Sequence, residues 1–220
     1  MSRGGWFAGA ALVVASLALS GCGVQMSDQE QFNNAREVNS AFKAAVAQVQ
    51  LNVFDGEWEI AENYGQTPRG CGGTSQTDSY EFVMTRLTPE GWKLDRSPAE
   101  LGNEVAAWFD ENGWTDVKLR TYSDGIADVV VEAEKPDEHA GLVVVDINPG
   151  ELFDTVTIRA TSTCEAGDWR VIVEEQRGSG NQDDFDPDRA GLPATEHPTD
   201  PPAFGLTDEG EPRYGDESDG

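Results

Sequence analysis

Leu19-Ser20-Gly21-Cys22 is where residue types and spacing in this chain point most directly to chemistry. An apolar residue followed by two small ones and a cysteine is the pattern of a bacterial lipobox. Ser20 and Gly21 let a membrane-surface peptidase reach the bond before Cys22, and the Cys22 thiol takes the diacylglyceryl group. The preceding residues fit that processing. Arg3 and the amino terminus form a thin positive region, and Trp6 to Leu19 is an uncharged run of 14 residues. Spanning the hydrocarbon takes about 20 apolar residues. Residues 1–21 therefore read as a signal peptide rather than a permanent span. The alternative is an ordinary signal peptide cut nearby, which leaves Cys22 a plain thiol. Two or three palmitate-type chains on one cysteine, at about 0.8 kcal/mol per buried methylene, pass the two-signal threshold for stable anchoring. The expected location is the cell membrane, lipid-anchored and facing the extracytoplasmic side.

Three cysteines are an odd number for an exported chain. With Cys22 assigned to lipid, Cys71 and Cys164 remain as a pair outside the reducing cytoplasm, and a structural disulfide is expected. A reactive thiol or a metal pair is the alternative, but neither cysteine lies in a CxxC and no histidine is near in sequence.

Other candidate chemistry is thin. His139 falls in a loop and His197 in a polar tail, and no GxSxG elbow is present to pair with either. Asp184, Asp186 and Asp188 imitate the opening of a calcium loop. Arg189 then stands where Gly is required and Thr195 where a bidentate Glu belongs. No glycine-rich phosphate loop follows a strand, and with 41 Asp and Glu residues, paired carboxylates carry no specificity. Trp58, Trp92 and Trp114 form a speculative ligand surface for stacking on sugar rings. No catalytic residue, metal site or cofactor is assigned. The net charge of −26 repels nucleic acid, which is excluded as a partner.

The elements that must position these residues begin at Asp28. From there to Gln50, Phe32, Ala35, Val38, Phe42, Val46 and Val49 recur at helical spacing, with Ser27 and Glu30 as a capping box. Residues 22–27 are left as a lipidated N-terminus and short tether. Glu57–Ile60 reads as a short strand, and residues 63–79 as an irregular loop around Cys71. Tyr80–Leu87 reads as a strand turning at Pro89 and Gly91 to a partner at Trp92–Leu94. Ser97, Pro98 and Glu100 open a second helix whose stripe is Leu101, Val105, Trp108 and Phe109, stopped at Asn112-Gly113.

Strand patterns follow at residues 117–122, 126–134, 142–147, 153–164 and 169–175, the last with Val171 and Val173 inward. Short links make these an antiparallel meander. The fold class is α+β: a meander sheet of five or more strands with two amphipathic helices on one face. The other face carries Lys118, Arg120, Glu132, Glu134, Arg159 and Glu174, with Lys118 opposite Glu132. Residues 28–176 form one domain. Residues 177–220, with six Pro, seven Gly and eight apolar residues, read as a disordered acidic tail.

The Leu19-Ser20-Gly21-Cys22 box, the Cys71-Gly72-Gly73 loop, the helix ending Trp108-Phe109 before Asn112-Gly113-Trp114, and the distant Cys164 together resemble small actinobacterial lipoproteins of the LppA-like kind. The resemblance covers residues 22–176 and leaves the tail unexplained. It implies a helix-backed antiparallel sheet and a location more than a mechanism. The expected function is a non-catalytic binding or accessory role at the cell envelope, held to the membrane by covalent lipid, with an envelope protein or glycan as partner. A carbohydrate- or peptidoglycan-associated module and an envelope hydrolase using carboxylates are the alternatives.

Overall fold

Two serine caps open the two long helices. The computed structural model describes residues 26–61, 64–73, 75, 77–122, 127–177, 193–206 and 212–214; the lipobox and Cys22 lie outside them, as does the aspartate run 184–188. Helix α1 (Asp28–Val53) starts where Ser27 Oγ accepts from Glu30 N–H and the Glu30 carboxylate reaches back to the Ser27 N–H. Helix α2 (Pro98–Glu111) repeats the device with Ser97 and Glu100. Their predicted stripes are buried, except that Trp108 is only half-buried. Gly102 allows α2 to close on the sheet, since a Cβ there would lie 2.4 Å from Val129 Cγ1.

The sheet strands are β1 (Trp58–Ile60), β3 (Val83–Leu87), β4 (Thr115–Thr121), β5 (Val129–Lys135), β6 (Ala140–Asn148), β7 (Thr155–Ser162) and β9 (Thr195–Glu196). They form one antiparallel sheet in the order β4-β5-β6-β7-β3-β1-β9. The described residues also form two small pairs: β2 (Ser79–Tyr80) with β8 (Glu165–Ala166), and β10 (Ala203–Leu206) with β11 (Pro212–Tyr214). Val131, Val145 and Ile158 mark the buried face on which α1 and α2 lie. On the opposite face Lys118 does sit across from Glu132, and Arg120 donates to the same carboxylate at 2.8 Å. The architecture is α+β, a seven-stranded antiparallel sheet with three helices.

Three sequence expectations change. Residues 169–175, read as a fifth meander strand with Val171 and Val173 inward, form helix α3 (Trp169–Gln176). Asp168 caps it by accepting from Arg170 N–H, and Ile172, Val173 and Gln176 turn inward while Glu174 is exposed on the helix rather than on the sheet. Packing against α1 overrides the strand preference of the β-branched residues. Residues 92–94 do not pair with the preceding strand; β3 pairs instead with β7 and β1. The third change concerns the stretch expected to be a disordered tail. Its residues 193–206 add β9 to the sheet edge and place Phe204 in the core, 5.4 Å from Phe32 and 6.0 Å from Phe82. Low apolar content hid this, because one aromatic ring and a few specific hydrogen bonds do the ordering.

Candidate functional site

The expected Cys71–Cys164 disulfide is present, with Cα atoms 5.8 Å apart. The three tryptophans do not make a ligand surface. Trp58 is fully buried in β1, beside β9, and donates its indole N–H to Phe54 O at 3.1 Å. Trp114 is buried, its ring 4.8 Å from Phe109. Trp92 is half-buried against Phe54, 5.9 Å between centroids. Each ring is committed to packing: Trp58 and Trp114 join the core, and Trp92 packs against its edge through Phe54.

A cavity of about 400 Å³ lies instead between α1 and the strap formed by residues 193–203. Helix α1 contributes Lys43, Ala44, Ala47 and Gln50, and the strap contributes the rings of Pro193, Pro198, Pro201 and Pro202. Tyr64 and Met84 also reach it. Two cations from the body of the domain fasten the strap. Arg86, wholly buried, holds both Glu196 carboxylate oxygens, through Nε at 2.5 Å and Nη2 at 3.0 Å. It also donates to Thr85 O and Tyr64 O. Lys43 Nζ donates to Ala203 O at 3.0 Å and lies 5.2 Å from the Tyr64 ring centroid. Beyond the cavity, Gln66 accepts from Gly205 N–H while its carbonyl accepts from Gln176.

The charged groups of the wall thus have partners within the chain: Lys43 with Ala203, Glu196 with Arg86, and Asp200 with His197 N–H at 2.9 Å. Gln50, 1% exposed, has a buried Nε2 with no hydrogen-bond partner among the described residues. A buried donor left without a partner costs on the order of 1–3 kcal/mol. What the cavity offers for binding is a largely apolar wall, Ala44, Ala47, Met84 and the four prolines.

Both histidines have acid neighbours, but the geometry is structural. His197 Nε2 is 3.4 Å from Asp55 Oδ1, while Nδ1 accepts from the Thr199 N–H at 3.3 Å and lies 2.7 Å from the Thr199 hydroxyl oxygen. Acid, imidazole and hydroxyl stand in sequence, yet the last link closes a local turn and Asp55 is mostly exposed. His139 Nδ1 is 2.9 Å from Glu165 Oε1, and the adjacent Thr163 hydroxyl is itself spent on that carboxylate at 2.6 Å. Among the described residues no cluster of three or more His, Cys, Asp or Glu side chains is placed to hold a metal, and no helix is long and apolar enough to cross a membrane.

Sequence reasoning missed Gln50, Lys43, Arg86 and Glu196. A signal existed: Asn39, Lys43 and Gln50 form a polar row within the apolar stripe of α1, and Arg86 interrupts the apolar run of β3. No protein-family profile and no curated protein matches the chain. A crystal structure of a DUF4853 family protein from Actinomyces odontolyticus is similar over 65% of this chain and 71% of that one, at 19% identity and a TM-score of 0.38. That likeness is too slight to carry any role across.

Proposed function

We propose that this chain is a lipoprotein, held by an acylated Cys22 on the extracytoplasmic side of the cell membrane, whose domain has a non-catalytic binding role centred on the strapped cavity. The observation that carries the binding role is the cavity of about 400 Å³ walled by Ala44, Ala47, Met84 and four prolines, a size within the usual small-ligand range of about 300–1,000 Å³. Anchoring is supported by the Leu19–Cys22 sequence and by the start of α1 six residues after Cys22, which keeps the domain close to the bilayer. Kinship with LppA-like lipoproteins remains part of this reading, on the residues that carry the resemblance. The commitment of all three tryptophans to packing removes the support for a sugar-stacking surface.

Two measurements test the reading. Intact mass of the protein extracted from membranes is expected to begin at Cys22 with a diacylglyceryl mass, and Cys22→Ser to release it from the membrane fraction. A photo-crosslinking side chain at Ala44 or Gln48, at the mouth of the cavity, is expected to gain a discrete added mass in cells, while one at Glu174 gains none. A bare thiol at Cys22 overturns the anchoring, and equal labelling at the two sites overturns the cavity as the binding site.

A further inference from the structure

The end of the sheet farthest from the start of α1 carries the most exposed large apolar side chains of the described residues: Leu152 at 85%, Tyr122 at 49% and Phe153 at 42%. Leu152 and Phe153 lie in the turn between β6 and β7, and Tyr122 directly follows β4. The register brings them to one end, because Thr121 stands opposite Val129, Val129 opposite Ile147 and Ile147 opposite Val156. Two strand spacings, about 10 Å, separate β4 from β6. The turn itself is fastened. The Asp154 carboxylate accepts from Leu94 N–H at 2.8 Å and from Gly150 N–H at 3.0 Å, and the Asp154 N–H donates to Trp92 O at 3.1 Å. Gly150 permits this closure, since a Cβ there would lie 2.2 Å from Phe153 O. These bonds hold Leu152 out in water, so the backbone of an anchoring side chain is ordered before any partner arrives.

Charge narrows the occupant. Glu90, Asp95 and Glu151 are exposed around the patch, with Asp55 beyond Phe54. The neighbouring cations are already engaged: Lys93 faces Asp154 at 3.8 Å, and Arg96 faces Asp95 and Glu104. An apolar centre with a polar rim is the layout of a protein interface, and an acidic rim fits a basic one. A second copy would set carboxylates against carboxylates. An anionic bilayer repels the same rim. Helix α1 also begins far from this end, with Gln31 and Asn34 bonded to Asp168 and Tyr80, and finishes near it, where Phe54 meets Trp92. Its 26 residues span about 39 Å at about 1.5 Å each, which sets the patch away from a bilayer holding Cys22. We propose that this end docks a protein partner offering an apolar pocket rimmed by lysine and arginine, with Leu152 as the inserted side chain. Its direction away from the bilayer rests on the anchor proposed above; its exposure and charge do not.

The test uses the full chain in intact cells, with a diazirine analogue of leucine in place of Leu152 or, as the control, of Leu142, an exposed leucine near the other end of the sheet. Irradiation is expected to join position 152 to one polypeptide, and mass spectrometry of the joined peptide to find an apolar segment flanked by Lys or Arg. The control position is expected to give no such adduct. Glu90→Lys with Glu151→Lys reverses the rim and is expected to lower the yield at 152 at least about tenfold. With the analogue in place of Phe153, Leu152→Asp is expected to abolish the adduct. Both variants change exposed side chains and should leave the melting temperature unchanged. Washing isolated membranes in about 1 M salt, where the screening length is about 3 Å, should lower the yield with no variant at all.

An adduct with lipid at position 152 makes the patch a membrane contact, and an adduct with another copy makes it a self-association surface; either overturns the proposal. So does an adduct whose yield survives both the charge reversal and the salt wash, and so does the absence of any adduct. These failures are distinct from failure of the anchor. A bare thiol at Cys22 leaves the adduct at 152 to be read as before, whereas silence at 152 in an acylated protein overturns the docking surface alone.

Discussion

Replacing Glu196 by glutamine is expected to loosen the strap and to destabilise the whole domain. Arg86 is wholly buried and the Glu196 side chain only 20% exposed. Removing one partner of a buried ion pair costs about 3–5 kcal/mol because the other charge is stranded. Two features lower that figure here: Arg86 keeps acceptors in Thr85 O and Tyr64 O, and the amide introduced by Glu196→Gln would retain one acceptor oxygen. The expected loss is then about 2–3 kcal/mol, or a melting temperature lower by roughly 5–10 °C for a domain of this size. Differential scanning calorimetry measures the shift. Hydrogen exchange adds the local signature, faster exchange in residues 193–206 and along β1. Arg86→Met alone should cost a comparable amount, whereas the double variant Arg86→Met with Glu196→Gln should recover part of it, because no charge is then stranded. A melting temperature within about 1 °C of the parent, with protection of 193–206 unchanged, would refute the idea that this pair fastens the strap.

Three further outcomes follow from the same structure. Removing the Cys71–Cys164 bridge by the double alanine variant releases a sequence separation of 93 residues and should cost about 4–5 kcal/mol by loop entropy, read from urea midpoints. The Asp154 carboxyl is held below the usual aspartate range, chiefly because Leu94 N–H donates to it, with Gly150 N–H and Lys93 adding to the effect. Its stabilisation is complete above the unfolded value near 4 and is lost as pH falls through the lower folded value, so Asp154→Asn should flatten the acid limb of the stability profile. The Tyr80 hydroxyl is pushed up to about 12 by burial, with the Glu165 charge reinforcing it and the Asn34 hydrogen bond opposing it. Stability should fall as pH rises from about 10 through that value, and ultraviolet titration of Tyr80→Phe should lack the latest phenolate step.

What was legible in the sequence was local. The caps at Ser27 and Ser97 sit within three residues of their partners, so both helix starts could be read directly. Strands β5 to β7 alternate inward and outward, and short connections place β4 to β7 side by side. Information that depends on distant residues was not legible. Val171-Ile172-Val173 favours a strand in isolation, and the choice of helix comes from α1, whose Gln31 side chain accepts from Asp168 N–H across a separation of 137. The neighbours of β3 are similarly remote, Thr85 opposite Arg159 and Arg86 opposite Ile158.

The candidate site is the extreme case of that dependence. Its two fastenings join residues separated by 110 and 160 positions, Arg86 to Glu196 and Lys43 to Ala203. From composition, residues 193–206 have too little apolar surface to order themselves, and that premise is sound for an isolated segment. It fails here because the domain carries two cations and a gap for Phe204 that the returning chain fills. A buried arginine in a central strand is costly without a partner, so Arg86 in the run Val83–Leu87 already requires an acid from elsewhere. Glu196 is that acid, and bringing it into place draws four prolines across α1 to wall the cavity.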